Sequence, residues 1–163
     1  MKQAYKMYSV LILVTTVLLS ACSVSKEVRQ MNHKINGTWI LQTIGTEGAT
    51  GKPKDKIFNE ADFGCFIGSE WKFSKGGKGS YAIVEKGKGC TPITRAINWS
   101  INKPAGGQPT FIMHRLDETH DPMDFNVAFN LVITQLEGSS MKLRSDVMID
   151  GRAASLIFNF VKQ

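Results

Sequence analysis

The sequence predicts an all-β, antiparallel fold of about eight short strands. From Gly37 onward, apolar residues alternate with polar ones over most of the chain, and no long helical periodicity is seen. Turn-forming residues recur roughly every 8 to 14 positions, which is typical of a meander of short strands. Such a meander either packs as a sandwich or closes into a barrel, which removes its exposed edges. At 163 residues the chain has the size of one domain.

The composition is that of a soluble globular domain. Hydrophobic residues make up 42% of the chain and charged residues 21%, which fits neither a disordered chain nor a polytopic membrane protein. The net charge is +6, and two of the positive side chains, Lys2 and Lys6, lie in a segment that we expect to be removed. The remaining excess is too mild to indicate a nucleic-acid partner.

Residues 1–21 are predicted to be a lipoprotein signal peptide. Lys2 and Lys6 precede an apolar run over residues 10–19, which is shorter than the ~20 residues that span a bilayer and has the length of a signal-peptide core. The run ends in Leu-Leu-Ser-Ala-Cys at residues 18–22, and this ending resembles the bacterial lipobox. The resemblance implies cleavage before Cys22 and acylation of that residue, for example with palmitate. The alternative is an ordinary secretory peptide with a chance cysteine.

Acyl chains on Cys22 would anchor the protein to a membrane without a transmembrane helix. Ser23 follows the cysteine, and in lipoproteins of many Gram-negative bacteria a serine there is permissive for the outer membrane. Glu27 is the one acidic residue of the next few, which favours the periplasmic face. Residues 22–36 are predicted to be the lipidated cysteine and a tether. Apolar residues at helical spacing indicate a helical turn or two within it: Val28, Met31 and Ile35.

The first half of the domain is predicted to contain four strands, at residues 38–44, 66–73, 80–85 and 93–101. Between the first two, residues 45–56 read as a Gly/Lys/Thr-rich loop and residues 57–63 as a short helical turn. Gly76 and Gly77 lie between the second and third strands, where they supply the positive φ that a tight hairpin turn requires.

The second half is predicted to contain four more strands. Residues 110–116 form the first, after a Pro/Gly turn at 102–109, and residues 141–149 form the third. The third ends at Asp150-Gly151, a strong signal for a two-residue hairpin turn, and the last strand contains Leu156, Phe158 and Phe160. The second of these strands has the longest alternation in the chain, with five apolar residues pointing one way: Phe125, Val127, Phe129, Leu131 and Ile133.

Several short motifs resemble those of lipocalins. Gly37-Thr38-Trp39 is similar to the G-x-W that opens a lipocalin barrel, and C-F-I-G-S-E-W-K-F at residues 65–73, G-S-Y at 79–81 and F-N-F-V-K at 158–162 strengthen the match. Together they resemble the lipocalin-like lipoproteins of Gram-negative envelopes over residues 37–163. The resemblance implies an up-and-down β-barrel of about eight strands with a cavity between its walls. The arginine that packs over the opening Trp in lipocalins would be Arg144 or Arg152, and the second lipocalin motif is absent.

Seven aromatic residues fall on strand positions that can all face the barrel interior. In a small barrel such a set either lines a ligand pocket or forms packed core. The first arrangement predicts a non-catalytic envelope lipoprotein that binds a small apolar or amphipathic ligand. The second predicts a structural or interaction module that acts through its loops, beside an outer-membrane partner or a glycan. The candidate ligand-binding residues are Trp39, Trp71, Phe73, Tyr81, Trp99, Phe111 and Phe129.

Cys65 and Cys90 are the two thiols that remain once Cys22 is acylated. In an oxidising compartment such as the periplasm they are expected to form a disulfide, which would join the entry and the exit of the hairpin between them. A metal-thiolate pair would need further cysteine or suitably spaced histidine ligands, which the sequence lacks. It also lacks a recognisable nucleophile motif, so neither an enzyme nor a cofactor is predicted.

Two charged clusters complete the set of candidate sites. The loop around residues 114–124 has enough ligands for a metal ion, but their spacing matches no metal motif, so we expect a solvated loop: His114, Asp117, Glu118, His120, Asp121 and Asp124. The second cluster is either a basic patch for an anionic glycan or lipid headgroup, or a solvated hairpin that discourages edge pairing. Its members are Lys72, Lys75, Lys78, Lys86 and Lys88.

Overall fold

The computed structural model describes residues 26–85 and 89–163. Eight antiparallel strands form a closed barrel in which each strand pairs with its neighbours in sequence and β8 pairs back with β1. The predicted all-β, up-and-down barrel is therefore confirmed. Among the described residues one α-helix, α1 (Lys26–Ile35), precedes the strands, which are β1 (Gly37–Glu47), β2 (Glu70–Ser74), β3 (Lys78–Ile83), β4 (Ile93–Asn102), β5 (Thr110–Arg115), β6 (Phe129–Leu136), β7 (Ser140–Ile149) and β8 (Arg152–Lys162).

The barrel has two different ends. At one end, which we call the helix end, lie α1 and the short β2–β3, β4–β5 and β6–β7 turns. At the other, which we call the mouth, lie the long β1–β2 segment (residues 48–69), the β3–β4 and β5–β6 connections and the β7–β8 turn. Alternate residues of every strand point inward and form one continuous apolar core.

The predicted tether is part of the folded domain over residues 26–35. The helix is longer than the expected turn or two, and it packs against β4 and β6. Ile35 is completely buried and Val28 nearly so. The apolar spacing that indicated a helical turn is the face by which α1 covers the helix end of the barrel.

A lysine, rather than an arginine, lies over the opening tryptophan. The ammonium of Lys162 is 5.1 Å from the ring centroid of Trp39, and it also donates a hydrogen bond to the carbonyl oxygen of Lys34. The assignment of this role to Arg144 or Arg152 was wrong. Arg152 begins β8 at the mouth, at the opposite end from Trp39, and Arg144 pairs with Asp146.

Both predicted tight turns are confirmed. Gly76 and Gly77 adopt φ of +82° and +76° between β2 and β3. Asp150 and Gly151 adopt φ of +48° and +77° between β7 and β8. In the two-residue β7–β8 turn, positive φ at both central residues matches the right-handed twist of the flanking strands.

Three predicted elements differ from the structure. The second strand begins at Glu70 rather than at residue 66, because Phe66 ends a 3₁₀ helix. Residues 57–63 form no helical turn; instead Ile57 pairs with Ala61 in an isolated bridge, and a short 3₁₀ helix follows at Phe63–Phe66. The sixth strand begins at Phe129, because Asp124, Phe125 and Asn126 all have positive φ and interrupt the extended chain. Phe125 is fully exposed rather than inward-facing.

The membrane-related predictions fall mainly on residues that are not described. The signal peptide (residues 1–21), Cys22, Lys86 and Lys88 lie outside the described residues. Within the part of the chain that the structure does describe, no helix is long and apolar enough to span a bilayer.

Candidate ligand-binding site at the barrel mouth

Six of the seven candidate aromatic residues are packed core. The rings of five of them contact one another: Trp71 and Tyr81 of neighbouring strands are 4.8 Å apart, and Trp99 stacks on Phe111 at 5.8 Å between ring centroids. Each of the six is at most 5% exposed: Trp39, Trp71, Phe73, Tyr81, Trp99 and Phe111. The helix-end half of the barrel is therefore filled with aromatic rings. Phe129 is half-buried and lies at the mouth.

Phe58, which no sequence pattern indicated, packs in the mouth of the barrel. Its ring stacks on Phe158 at 5.5 Å and meets Phe129 edge-on at 5.4 Å, and it also contacts the rings of Phe66 and Trp71. Phe58 comes from the β1–β2 segment, which has no periodic pattern, so no strand or helix pattern could have pointed to it. Its φ is +50°, which for a bulky side chain costs on the order of 1–3 kcal/mol and must be held by surrounding contacts.

A cavity of about 470 Å³ with a mixed polar and apolar lining lies beside Phe58. Its floor consists of inward-facing residues of three strands: Phe129 and Leu131 of β6, Val147 of β7, and Leu156 and Phe158 of β8. Segment 53–59 forms its opposite wall and supplies polar atoms at the rim. Its volume lies in the range of small-molecule sites, and its lining is mixed, with an apolar floor and polar side chains that include Asp55, Lys56 and Asn59 on the opposite wall.

A second cavity, of about 570 Å³, lies at the helix end. It lies between α1, the β2–β3 turn and the end of β4, and Trp99 lines it together with basic side chains that include His33 and Lys75. Of the candidate residues, Trp99 thus borders this cavity and Phe129 the mouth cavity. The two cavities lie at opposite ends, so the seven residues do not form one site.

A buried ionic cluster fastens segment 48–69 to the strands at the mouth. The carboxylate of Glu60 accepts hydrogen bonds from Arg95 of β4 (Nε–Oε2 2.8 Å and Nη2–Oε1 3.0 Å), from Nη1 of Arg115 of β5 (2.7 Å) and from the Tyr81 hydroxyl of β3 (2.7 Å). Arg115 also binds Asp124 of the β5–β6 connection through Nε at 2.9 Å and through Nη2. We call Arg95, Arg115 and Tyr81 the clamp.

The clamp changes the ionisation of the groups it binds. Burial by itself would raise the pKa of Glu60, but the hydrogen bonds from Arg95, Tyr81 and Arg115 outweigh it and lower the pKa to about 2. Burial and the adjacent Glu60 carboxylate raise the pKa of Tyr81 above its usual range. The Glu60 carboxylate is therefore ionised at neutral pH, and the Tyr81 hydroxyl keeps its proton.

The predicted Cys65–Cys90 disulfide is confirmed. Cys65 lies in the 3₁₀ helix that precedes β2, and Cys90 lies just before β4. The bridge therefore attaches segment 48–69 to the β3–β4 connection, next to the clamp.

The acid-rich loop is organised as a turn. Asp117 accepts hydrogen bonds from the backbone N–H groups of Thr119 and Asp121 and from the Thr119 hydroxyl. Across the described residues, no group of three or more His, Cys, Asp or Glu side chains is arranged to hold a metal ion. Of the lysine cluster, Lys72, Lys75 and Lys78 are exposed on the β2–β3 hairpin.

The fold and the site define a closed eight-stranded barrel with a cavity of apolar floor and polar wall at its mouth. No protein-family model matches this chain, and no curated protein matches it. Among solved structures, its fold is similar to those of apocrustacyanins and of an odorant-binding protein.

Three of these structures can be compared directly. Apocrustacyanin C2 is 13% identical with a TM-score of 0.44, over 85% of this chain and 64% of that chain. Lobster apocrustacyanin A1 is 13% identical with a TM-score of 0.43, over 85% and 70%. Bovine odorant-binding protein, in complex with a selenium-containing odorant, is 17% identical with a TM-score of 0.44, over 86% and 78%. The chain thus spans slightly less than two-thirds of the apocrustacyanin C2 chain.

Proposed function

We propose that this protein is a non-catalytic, lipid-anchored envelope protein that binds a small apolar or amphipathic ligand at the mouth of its barrel. The observation that carries the proposal is the cavity of about 470 Å³ between segment 53–59 and strands β6, β7 and β8. Burying an apolar ligand surface there would gain about 25 cal/mol per Å². The polar atoms at the rim are able to hydrogen-bond a polar head group on the ligand.

The mouth also exposes apolar side chains outside the cavity. Phe125 is fully exposed and Met148 is 63% exposed, and Met148 borders the cavity. Both side chains lie at the same end of the barrel as the cavity. Their position at the mouth supports entry of an apolar ligand from this end.

The binding site can be tested with the neutral apolar fluorophore N-phenyl-1-naphthylamine. We expect a saturable rise in its fluorescence on titration of the wild-type domain. Val147→Trp places a large ring in the cavity and should weaken binding by at least about tenfold. Val161→Trp, on the outer face of β8 near the helix end, is the matched control and should bind as the wild type does. Equal binding by both variants would exclude this cavity as the site.

A second candidate function is the structural or interaction module that acts through its loops. It is favoured by the aromatic packing across the helix-end half of the barrel, which leaves those residues in contact with one another. This candidate predicts that no apolar probe binds at saturating concentration. It also predicts that Trp71→Ala costs the full ~3–5 kcal/mol of a core truncation.

The lipid anchor rests on the lipobox resemblance and needs its own test. We propose that Cys22 is acylated and holds the domain at the periplasmic face of the outer membrane. Cells expressing Cys22→Ser should release the protein from the membrane fraction, whereas the unaltered protein stays with the outer membrane. Retention of Cys22→Ser in the membrane pellet at the mature mass would contradict the anchor and leave the barrel proposal unaffected.

A further inference from the structure

Three polar side chains from neighbouring strands point into the mouth of the barrel and converge on one carboxylate. Tyr81, Arg95 and Arg115 occupy inward-facing positions of β3, β4 and β5, in line with the apolar core residues below them. Arg115 is 3% exposed. Four of their donors reach the two oxygens of Glu60. Arg95 binds both oxygens, which is the planar geometry that a guanidinium offers to a carboxylate.

Glu60 does not belong to the barrel wall. It lies on segment 48–69, two residues after Phe58, whose ring packs on Phe129 and Phe158 beside the mouth cavity. The segment thus places an apolar ring on the cavity floor and a carboxylate in the clamp. Both Phe58 and Asn59 adopt positive φ, at +50° and +54°. Holding two such residues in this conformation has a cost that the contacts of Phe58 and Glu60 offset.

We propose that Arg95, Arg115 and Tyr81 form a carboxylate-binding site that Glu60 occupies in the closed barrel, and that the ligand is an apolar carboxylic acid. This inference rests on the proposed function, because it supplies the head-group site for a ligand whose apolar part lies in the mouth cavity. The ligand displaces segment 57–60. Its carboxylate replaces that of Glu60 in the clamp, and its apolar chain replaces the Phe58 ring on the floor.

The charges of the cluster fit this exchange. Arg95 and Arg115 carry two positive charges. Arg115 donates to Asp124 through its Nε–Nη2 edge and to Glu60 through Nη1. When Glu60 leaves, the clamp retains one uncompensated positive charge, which a monocarboxylate neutralises. A neutral alcohol of the same chain length would leave that charge buried without a partner, which is costly.

The clamp can be tested separately from the cavity by chemical rescue. In Glu60→Ala, sodium acetate should raise the melting temperature by about 3 °C more than sodium chloride of equal ionic strength, because acetate fills the vacated carboxylate position. The wild type and the control Glu70→Ala, which removes an exposed carboxylate paired with Lys72, should respond equally to the two salts. An equal response of Glu60→Ala to both salts would overturn the proposal.

The ligand class is tested by titration with dodecanoate and dodecanol. Glu60→Gln keeps the shape of the side chain and its carbonyl acceptor but lacks the charge, and it provides the measurement if Glu60→Ala does not fold. We expect dodecanoate to bind Glu60→Gln at least about tenfold more tightly than it binds the wild type, since charge-assisted hydrogen bonds become available. Dodecanol affinity should change less than twofold.

The outcomes separate the two proposals. One outcome is that dodecanol and the neutral fluorophore bind the wild type while dodecanoate binds Glu60→Gln no more tightly than the wild type. In that case the cavity is a ligand site, and the clamp stabilises the fold without binding a ligand. If acetate rescues Glu60→Ala but no apolar probe binds any variant, the clamp is a carboxylate site and the proposed apolar cavity is wrong. Tighter dodecanoate binding in Glu60→Gln together with acetate rescue supports both.

Discussion

At the scale of single residues, the barrel contains a costly feature, a pair of inward-facing arginines. A buried guanidinium is destabilising unless ionic and hydrogen-bonding partners satisfy it. Arg95 and Arg115 find these partners in Glu60 and Asp124, which come from two different connections. Their positions could have been found in the sequence: Arg95 lies two residues before Ile97 and Arg115 two after Met113, so each continues an apolar row. The partner Glu60 could not, because its segment has no period.

The ionisation of Glu60 predicts how stability depends on pH. Its pKa is lowered from 4.5 to about 2, so its contribution to stability is present above the unfolded pKa and is lost as the pH falls through the folded value. The difference corresponds to about 3 kcal/mol. The free energy of unfolding of Glu60→Gln, measured in urea, should lie below that of the wild type by about this amount at pH 7.

The same comparison at low pH provides the control. Other carboxylates titrate in both proteins, so the gap between wild type and Glu60→Gln isolates this residue. We expect the gap to shrink steadily from about pH 5 towards pH 2. A gap of constant size over that range would show that the charge of Glu60 contributes nothing to folding.

At the scale of elements, the strands could be predicted because a half-buried strand repeats every two residues. The predicted segments at residues 93–101 and 141–149 differ from β4 and β7 by one residue at one end. The prediction failed where backbone conformation overrides the pattern. Phe125 and Val127 continue the alternation of β6, but positive φ at residues 124–126 turns the chain before β6 begins.

Because the chain turns at residues 124–126, truncating two phenylalanines of the same alternating pattern should lower the free energy of unfolding by very different amounts. Phe125→Ala should change the free energy of unfolding by less than about 0.5 kcal/mol, because the ring is fully exposed. Phe129→Ala should cost about 2 kcal/mol, because its half-buried ring packs on Phe58. Urea unfolding of the two variants measures the difference. Equal costs would mean that β6 extends through residue 125 in solution.

The turn between β2 and β3 gives a second matched pair. Gly76 and Gly77 both have positive φ, so alanine at either position should cost about 1 kcal/mol. A Cβ on Gly77 would also lie 2.5 Å from the carbonyl oxygen of Trp99, whereas nothing lies within 4 Å of a Cβ on Gly76. Thermal unfolding should therefore show Gly77→Ala to be clearly less stable than Gly76→Ala. The opposite order would contradict the close approach of this turn to β4.

At the scale of the whole molecule, the strands of the barrel wall and the segment that closes its mouth, residues 48–69, are determined by different kinds of interaction. We call this segment the plug. The wall follows from alternation and turns, and the sequence predicted it nearly completely. The plug, segment 48–69, is held by long-range contacts: Phe58 on the cavity floor, Glu60 in the clamp, and Cys65 bonded to Cys90. Of these three, the disulfide alone could be predicted, because Cys65 and Cys90 are the two cysteines of the chain besides Cys22. The site at the mouth therefore had to come from the structure.

These three attachments lead to a last prediction, about whether the plug unfolds with the barrel. The disulfide closes a loop with a sequence separation of 25 residues, and removing it should cost about 3.5 kcal/mol in the chain-entropy model. The double variant Cys65→Ala/Cys90→Ala should therefore unfold at a lower urea concentration than the oxidised wild type. Because Phe58 and Glu60 still join the plug to six strands of the wall, we expect a single transition, coincident by tryptophan fluorescence and circular dichroism.

Reduced wild-type protein serves as the control for the loss of the two sulfur atoms, and it should match the double variant. An early transition seen by one probe alone would mean that the plug opens independently of the wall once the disulfide is absent. In that case the contacts of Phe58 and Glu60 give the segment a free energy of opening that is smaller than the global free energy of unfolding. The mouth would then open at a free-energy cost set by the clamp and by the Phe58 contacts, which are the interactions that an entering apolar acid has to replace.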